Sequence, residues 1–345
     1  MDSHNIREGM PFTMNSAYET QDARKFMTTK PVLRSIRAYH SDNRWLSAWL
    51  PGYEIKRRNP VYDYEHTRLN LPDDLRNESL KWIAQAALLP MVTWLLFIIP
   101  AIALRSSMPA VVDLVGQIVI FFILLGLANT LSLDLIAAVA GLDSIKQDVQ
   151  KGRWGLLRLS PLGMRRIVKA KHAIAQLSIW RSTCFMIGFR GALLGIIPMH
   201  MLVLQSQFGE FSLSSVINLD FPTIQNSATL AIVASFAYCM VGITWILEPL
   251  WRVRALTAAS LIAAGTTKEP SVRGLVAMRY VLIFEVQTLM GFALAVGLLY
   301  LGIVGKIALA LILATFMPVL VYNACIRNHR RWLAEAETRL ANFET

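Results

Sequence analysis

Four ionisable residues, Asp134, Arg190, Glu248 and Glu285, stand inside long apolar stretches of this chain. A charge surrounded by hydrocarbon is costly, so such residues pair with one another or line a polar cavity. Two roles follow from that physics. They could contact a polar substrate on a path between helices. They could instead form an internal ion pair, Arg190 with Asp134 or Glu285, that fixes helix packing. Glu248 precedes Arg252 by four residues, a spacing at which opposite charges meet on one helix face. Asp113 falls near the end of its apolar run and needs no partner. Catalytic chemistry has no comparable support: no pair of catalytic carboxylates, histidine cluster or Ser/Lys spacing recurs at helical intervals in the apolar spans, and no HExxH pair occurs. Cys184, Cys239 and Cys325 are odd in number and lack metal-ligand spacing, which argues against a disulfide framework or a zinc site. No cofactor or metal is expected. A GxxxxGK(S/T) phosphate loop is also missing, so this chain is not expected to be an enzyme that hydrolyses ATP.

The second group of residues is the basic stretch 146–171, KQDVQKGRWGLLRLSPLGMRRIVKAK. Gly152 can end one helix. Ser160 can cap the next, with Pro161 at its first position. Trp154, Leu156, Leu157 and Leu159 give an apolar patch between these breaks. Leu162, Ile167 and Val168 follow, with Arg165, Arg166, Lys169 and Lys171 around them. The expectation is a helix–break–helix whose knob, Trp154, Leu157 and Leu159, docks in a groove of a soluble protein. Arg158, Arg165 and Arg166 would meet acidic residues there. The plainer alternative is a basic interfacial loop that only marks one membrane face.

The elements that must carry these groups follow from composition. The chain has 345 residues, 54% hydrophobic and 17% charged, with a mean hydropathy of +0.44. Soluble domains carry about a quarter charged residues. The apolar residues here cluster in runs of about twenty, enough to cross a bilayer as helices. The fold class is an all-α polytopic membrane protein. Six spans are expected, at 82–104, 111–142, 182–204, 227–250, 280–301 and 307–326. The second is long for one crossing, so one end should project beyond the lipid. Gly188, Gly191 and Gly195 permit close helix contact in the third, and Pro198, Pro249 and Pro318 can kink their helices.

The net charge of +11 raises nucleic acid as a partner, but no base-stacking aromatic pattern accompanies the basic residues. The positive-inside rule accounts for the charge more simply. Stretches after spans two and four and after span six are basic. The opposite loops hold only Arg105 and Lys306. Both termini are therefore expected in the cytoplasm, with the chain in the inner membrane. Residues 1–80 form a polar cytoplasmic extension without a cleavable signal pattern. Within it Trp45, Trp49, Tyr53, Tyr62 and Tyr64 lie among Lys56, Arg57 and Arg58, which suits a segment at the lipid interface or an ordinary folded extension. The membrane domain covers 81–326 and a basic tail covers 327–345.

The string Gly152-Arg-Trp-Gly-Leu-Leu-Arg-Leu-Ser-Pro-Leu162, with Ile167, Val168 and Lys171 after it, resembles the membrane subunits of type-two ABC transporters. That family carries a Gly-Thr, leucines, a Ser/Thr-Pro-Leu and an Ile-Val before a Gly-Lys in the loop between spans two and three. Gly152, Leu156, Leu157, Ser160, Pro161, Leu162, Ile167 and Lys171 fall in matching places. Arg153 stands where Thr is usual and Gly155 where an acidic residue is common, and only Asp148 remains of the acidic pattern before Gly152. Asn59-Pro60-Val61, then Glu65 and Arg68, resembles the opening of some members. The small-residue run 255–266, then Lys268, is similar to the family's membrane-edge segment between spans four and five, and read alone is a close-packing surface. The resemblance covers about residues 59–326. It implies a permease subunit of an ATP-driven exporter, a separate ATPase subunit docked on the loop, and a second membrane subunit, identical or related. A degenerate permease serving as a non-transporting scaffold or accessory subunit is the alternative. Nothing in the spans selects a substrate.

Overall fold

The computed structural model describes residues 51, 59–69, 72, 74–103, 109–208, 227–267, 269–303 and 307–343. The proposed interfacial tryptophans and the extension before residue 51 lie outside these residues, as do the turn at 104–108 and most of the linker 205–225. Every regular element described is an α-helix: α1 Pro60–Arg68, α2 Leu75–Ala103, α3 Pro109–Gln150, α4 Arg153–Leu159, α5 Met164–Ser178, α6 Trp180–Phe208, α7 Ser227–Ala264, α8 Pro270–Ile303 and α9 Ile307–Ala341. The six long helices alternate in direction along the chain. Short α4 and α5 join α3 to α6 at one end, the basic end.

Among the described residues four helical segments are long and apolar enough to cross a membrane: Leu75–Pro100, Gln117–Gln150, Trp180–His200 and Pro270–Gly291. Large apolar side chains line their outer faces, including Leu88, Leu96 and Ile99 on α2, Ile120, Phe121 and Leu124 on α3, and Leu282 and Leu289 on α8. A water-soluble monomer does not expose patches of that size, whereas lipid solvates them. The protein is a helical membrane protein. At 42 residues α3 is about 63 Å long, twice the thickness of the hydrocarbon layer. One end must leave the lipid, as its apolar length suggests.

The largest core lies at the basic end rather than amid the apolar bands. Its centre is the second half of α7, where Ala255, Leu256, Ala258, Ala259, Leu261, Ile262, Ala263 and Ala264 are almost wholly buried. The run 255–266 is the close-packing surface its composition predicts. The stretch after residue 250, expected as a charged loop, instead continues α7 for fourteen residues, to Ala264. Alanine and leucine favour helix, and the small alanines let α3 and α9 approach closely. Helix α9 likewise runs past residue 326, presenting Trp332, Ala336 and Leu340 to this core at four-residue intervals. Nearer the other end, smaller clusters join α2, α3 and α6 around Trp94, Ile196, Phe122 and Phe189. Of the three glycines in the third span, Gly188 makes the tightest contact. A Cβ there would fall 2.1 Å from the carbonyl oxygen of Ile83 on α2.

Candidate functional site

The basic loop is a rigid extension of the core. Helix α3 stops at Gly152, whose φ of +67° a side chain would strain. Arg153–Leu159 then form α4. Ser160 does not cap the next helix as its type suggests. Its Oγ donates to the carbonyl of Leu157 at 2.7 Å, closing α4 instead. Pro161 lies in the turn, and Gly163, at φ +72°, turns the chain into α5 three residues later than Pro161 predicts.

The expected knob is also redistributed. Trp154 is wholly buried and Leu157 leans on the same core, so neither can be presented to a partner. Leu156 and Leu159 occupy the opposite face of α4, at 70% and 85% exposure. The helical period separates the pairs: positions 154 and 157 face inward, 156 and 159 outward. Pro161 is exposed beside them and Leu162 rests half-buried on the core. Arg165 and Arg166 are exposed. Arg158 is engaged within the chain, donating to the carbonyls of Ala341 and Phe343 at 2.9 and 2.7 Å and so tying the loop to the end of α9.

Beneath the loop is a charge cluster that joins three separated parts of the sequence. Lys171 on α5 is 1% exposed and contacts Asp148 on α3, itself 2% exposed. Its Nζ also donates to Glu65 on α1 at 3.0 Å. Arg153 pairs with Asp148 at 3.1 Å and donates to the Tyr64 hydroxyl, also at 3.1 Å. Asn59 caps α1, accepting from the amides of Val61 and Tyr62, while its Nδ2 donates to the carbonyl of Arg166. The Asn-Pro-Val segment and the loop are thereby one unit. Arg153, a departure from the resembling pattern, has a structural partner here.

The intramembrane residues form a second network, with a centre that sequence reasoning placed elsewhere. Arg190 pairs with neither Asp134 nor Glu285. Its Nη1 donates to Glu248 at 2.7 Å and to the Trp245 carbonyl at 2.5 Å, and its Nη2 to Thr130. Asp134 and Glu285 both bind Arg252, whose Nε lies 2.7 Å from each Asp134 oxygen and whose Nη2 donates to Glu285 at 2.7 Å. Arg252 also donates to Glu248 at 2.9 Å, the i, i+4 pair the spacing predicts. Arg252 lies two residues past the expected end of the fourth span, and α7 continues through it. The helical continuation across the alanine run was the available signal. Each of the five charged groups has an ion-pair partner, three carboxylates sharing two guanidiniums, and the contacts join α3, α6, α7 and α8.

His172, next to Lys171, is held neutral. Its Nε2 donates to the carbonyl of Arg254 at 2.8 Å, leaving Nδ1 to accept from Gln176. Burial pushes its pKa from 6.5 down to about 3, with the stacked His329 acting in the same direction. Because the unfolded chain binds this proton first, its contribution to stability is full above pH 6.5 and declines as the pH falls towards 3. The slope is about 1.4 kcal/mol per pH unit. Unfolding measured between pH 7 and 5 should show that loss, and His172→Gln should flatten it. An unchanged slope in the variant would refute the assignment.

Among the described residues no group of three or more His, Cys, Asp or Glu side chains is placed to hold a metal ion. No family model, no curated protein and no solved structure matches the chain.

Proposed function

We propose that this chain is the membrane subunit of an ATP-driven exporter of the type-two ABC class. In this reading α2, α3, α6, α7, α8 and α9 all cross the inner membrane and both termini are cytoplasmic. A separate ATPase subunit docks on the α4–α5 loop, and a second membrane subunit, identical or related, completes the pathway. The observation that carries the proposal is the pair Leu156 and Leu159, projecting from a short helix whose other face is locked into the core by Trp154. An exposed apolar ridge on a rigid base can transmit a push, provided the partner contacts it differently in its two states. Positive charge concentrated at this end of the helices supports its cytoplasmic placement.

The same loop would also serve a scaffold that anchors a soluble complex without transport. The commitment of Arg153 and Arg158 to internal partners favours that reading, since it leaves fewer cations for an ATPase. A mild-detergent pull-down of the tagged chain separates the two. The exporter requires a stoichiometric ATPase subunit with ATP turnover, retained by wild type and reduced about tenfold or more by Leu156→Asp with Leu159→Asp, as expected when a buried apolar anchor gains charge. Insertion and thermal stability should be unchanged, because both side chains face outward. A wild-type chain that never retains an ATPase, but holds another soluble complex, would make it a scaffold.

A further inference from the structure

At the basic end, α5, α7 and α9 enclose an open cavity of about 640 Å³. Four permanent cations line it: Arg165 and Lys169 from α5, Arg254 from α7 and Arg330 from α9. One carboxylate, Glu337, and His329 accompany them. Among the described residues the side chains of Arg165, Lys169 and Arg330 have neither a hydrogen-bond nor an ion-pair partner. The protein pairs its other clustered charges closely, as around Lys171 and Arg252, so an excess of cations in one concavity is the exception. Like charges held together repel, and an anion relieves that repulsion.

The walls indicate which anion. Trp251 and Tyr322, packed edge to face at 5.3 Å, form one side of the cavity. Such aromatic pairs favour the headgroup level of a bilayer. One to two turns before the cavity residues on α9, Phe316, Val319 and Leu320 are exposed and continue an apolar face away from it. A cationic pocket, an aromatic edge and an apolar track lie in sequence along one helix. We propose that this cavity binds the phosphate headgroup of an anionic phospholipid, whose acyl chains lie along the Phe316, Val319 and Leu320 face. Basic pockets between membrane helices are suited to such headgroups. The proposal needs only that the chain is in a membrane and does not depend on the exporter reading.

The test uses the full chain in nanodiscs of phosphatidylcholine with increasing phosphatidylglycerol, with bound lipid counted by native mass spectrometry. Phosphatidylglycerol should bind saturably, and Arg165→Gln with Lys169→Gln should weaken it about tenfold or more. Arg330→Gln should weaken it less, and Arg166→Gln, outside the cavity lining, not at all. Inorganic phosphate should fail to displace the lipid at concentrations that merely screen charge, because it cannot use the apolar track. Equal binding of both lipids, or equal binding by wild type and the double variant, would overturn the proposal. Displacement by inorganic phosphate would overturn the lipid assignment and make the ligand a soluble phosphate. The single Arg330 variant carries the test should the double variant not fold.

Discussion

Arg252→Met should be the most destabilising single substitution in the membrane region, by about 3–5 kcal/mol, because it leaves buried charge without its partner. Five charged groups meet in this network: Asp134, Glu248 and Glu285 against Arg190 and Arg252. Removing Arg252 leaves three carboxylates around one guanidinium, with Asp134 fully buried and its only ion-pair partner gone. Asp134→Asn leaves two of each sign and should cost far less, since Glu248 and Glu285 still hold Arg252. Denaturant unfolding in detergent micelles would rank the two variants. Equal losses would mean that packing around Arg252, including its stacking over Phe284, matters more than charge balance. The comparison also bears on the alternative role of these residues as a substrate path. With three carboxylates against two guanidiniums, every one of them engaged by a partner on another helix, the network is first a device for holding four helices together.

Lys171→Met should produce the second large effect, about 3 kcal/mol, and its signature should be local. Asp148 keeps Arg153, but Glu65 loses its closest cation, retaining only a 4.0 Å approach to Arg68. Helix α1 is attached through Glu65, through the Tyr64 hydroxyl to Arg153 and through the Asn59 bond to Arg166, and of these three only the Glu65 contact is an ion pair, so it should loosen before the core does. Hydrogen exchange across residues 59–69 should rise steeply in the variant while α7 remains protected. Glu65→Gln should do the same more weakly. Unchanged protection of α1 in Lys171→Met would show that Val61, the helix cap and the Tyr64 bond to Arg153 hold it without the ion pair.

The parts of this fold that were legible in the sequence are those set by local rules. Apolar runs gave the long helices, Gly152 gave the end of α3, and the four-residue step gave the pair of Glu248 with Arg252. The partners of Asp134 and Glu285 were not legible, because their contacts with α7 join residues 118 and 33 positions apart. Arg190 is the only cation inside the apolar runs of the sequence, whereas Arg252 stands just past the end of one. Arg252 is nevertheless buried, because α7 continues past residue 250 and packs against α3 and α9. Trp154 was misplaced for a different reason. Every apolar residue of the loop was treated as one patch, although the helical period already splits α4 into two faces.

Asp134 and Asp148 both belong to α3. They are fourteen residues apart, close to four full turns, so they lie on nearly the same side of one rod with about 21 Å between them. Each is a joint: the first grips Arg252, the second Lys171 and Arg153. No proline interrupts the rod between them, and the one glycine, Gly141, is packed against Ser260. The helix therefore works as a connecting rod with a pinned bearing at each end. In the proposed exporter, a load on the Leu156 and Leu159 ridge would reach the Arg252 network as displacement rather than dissipate as bending.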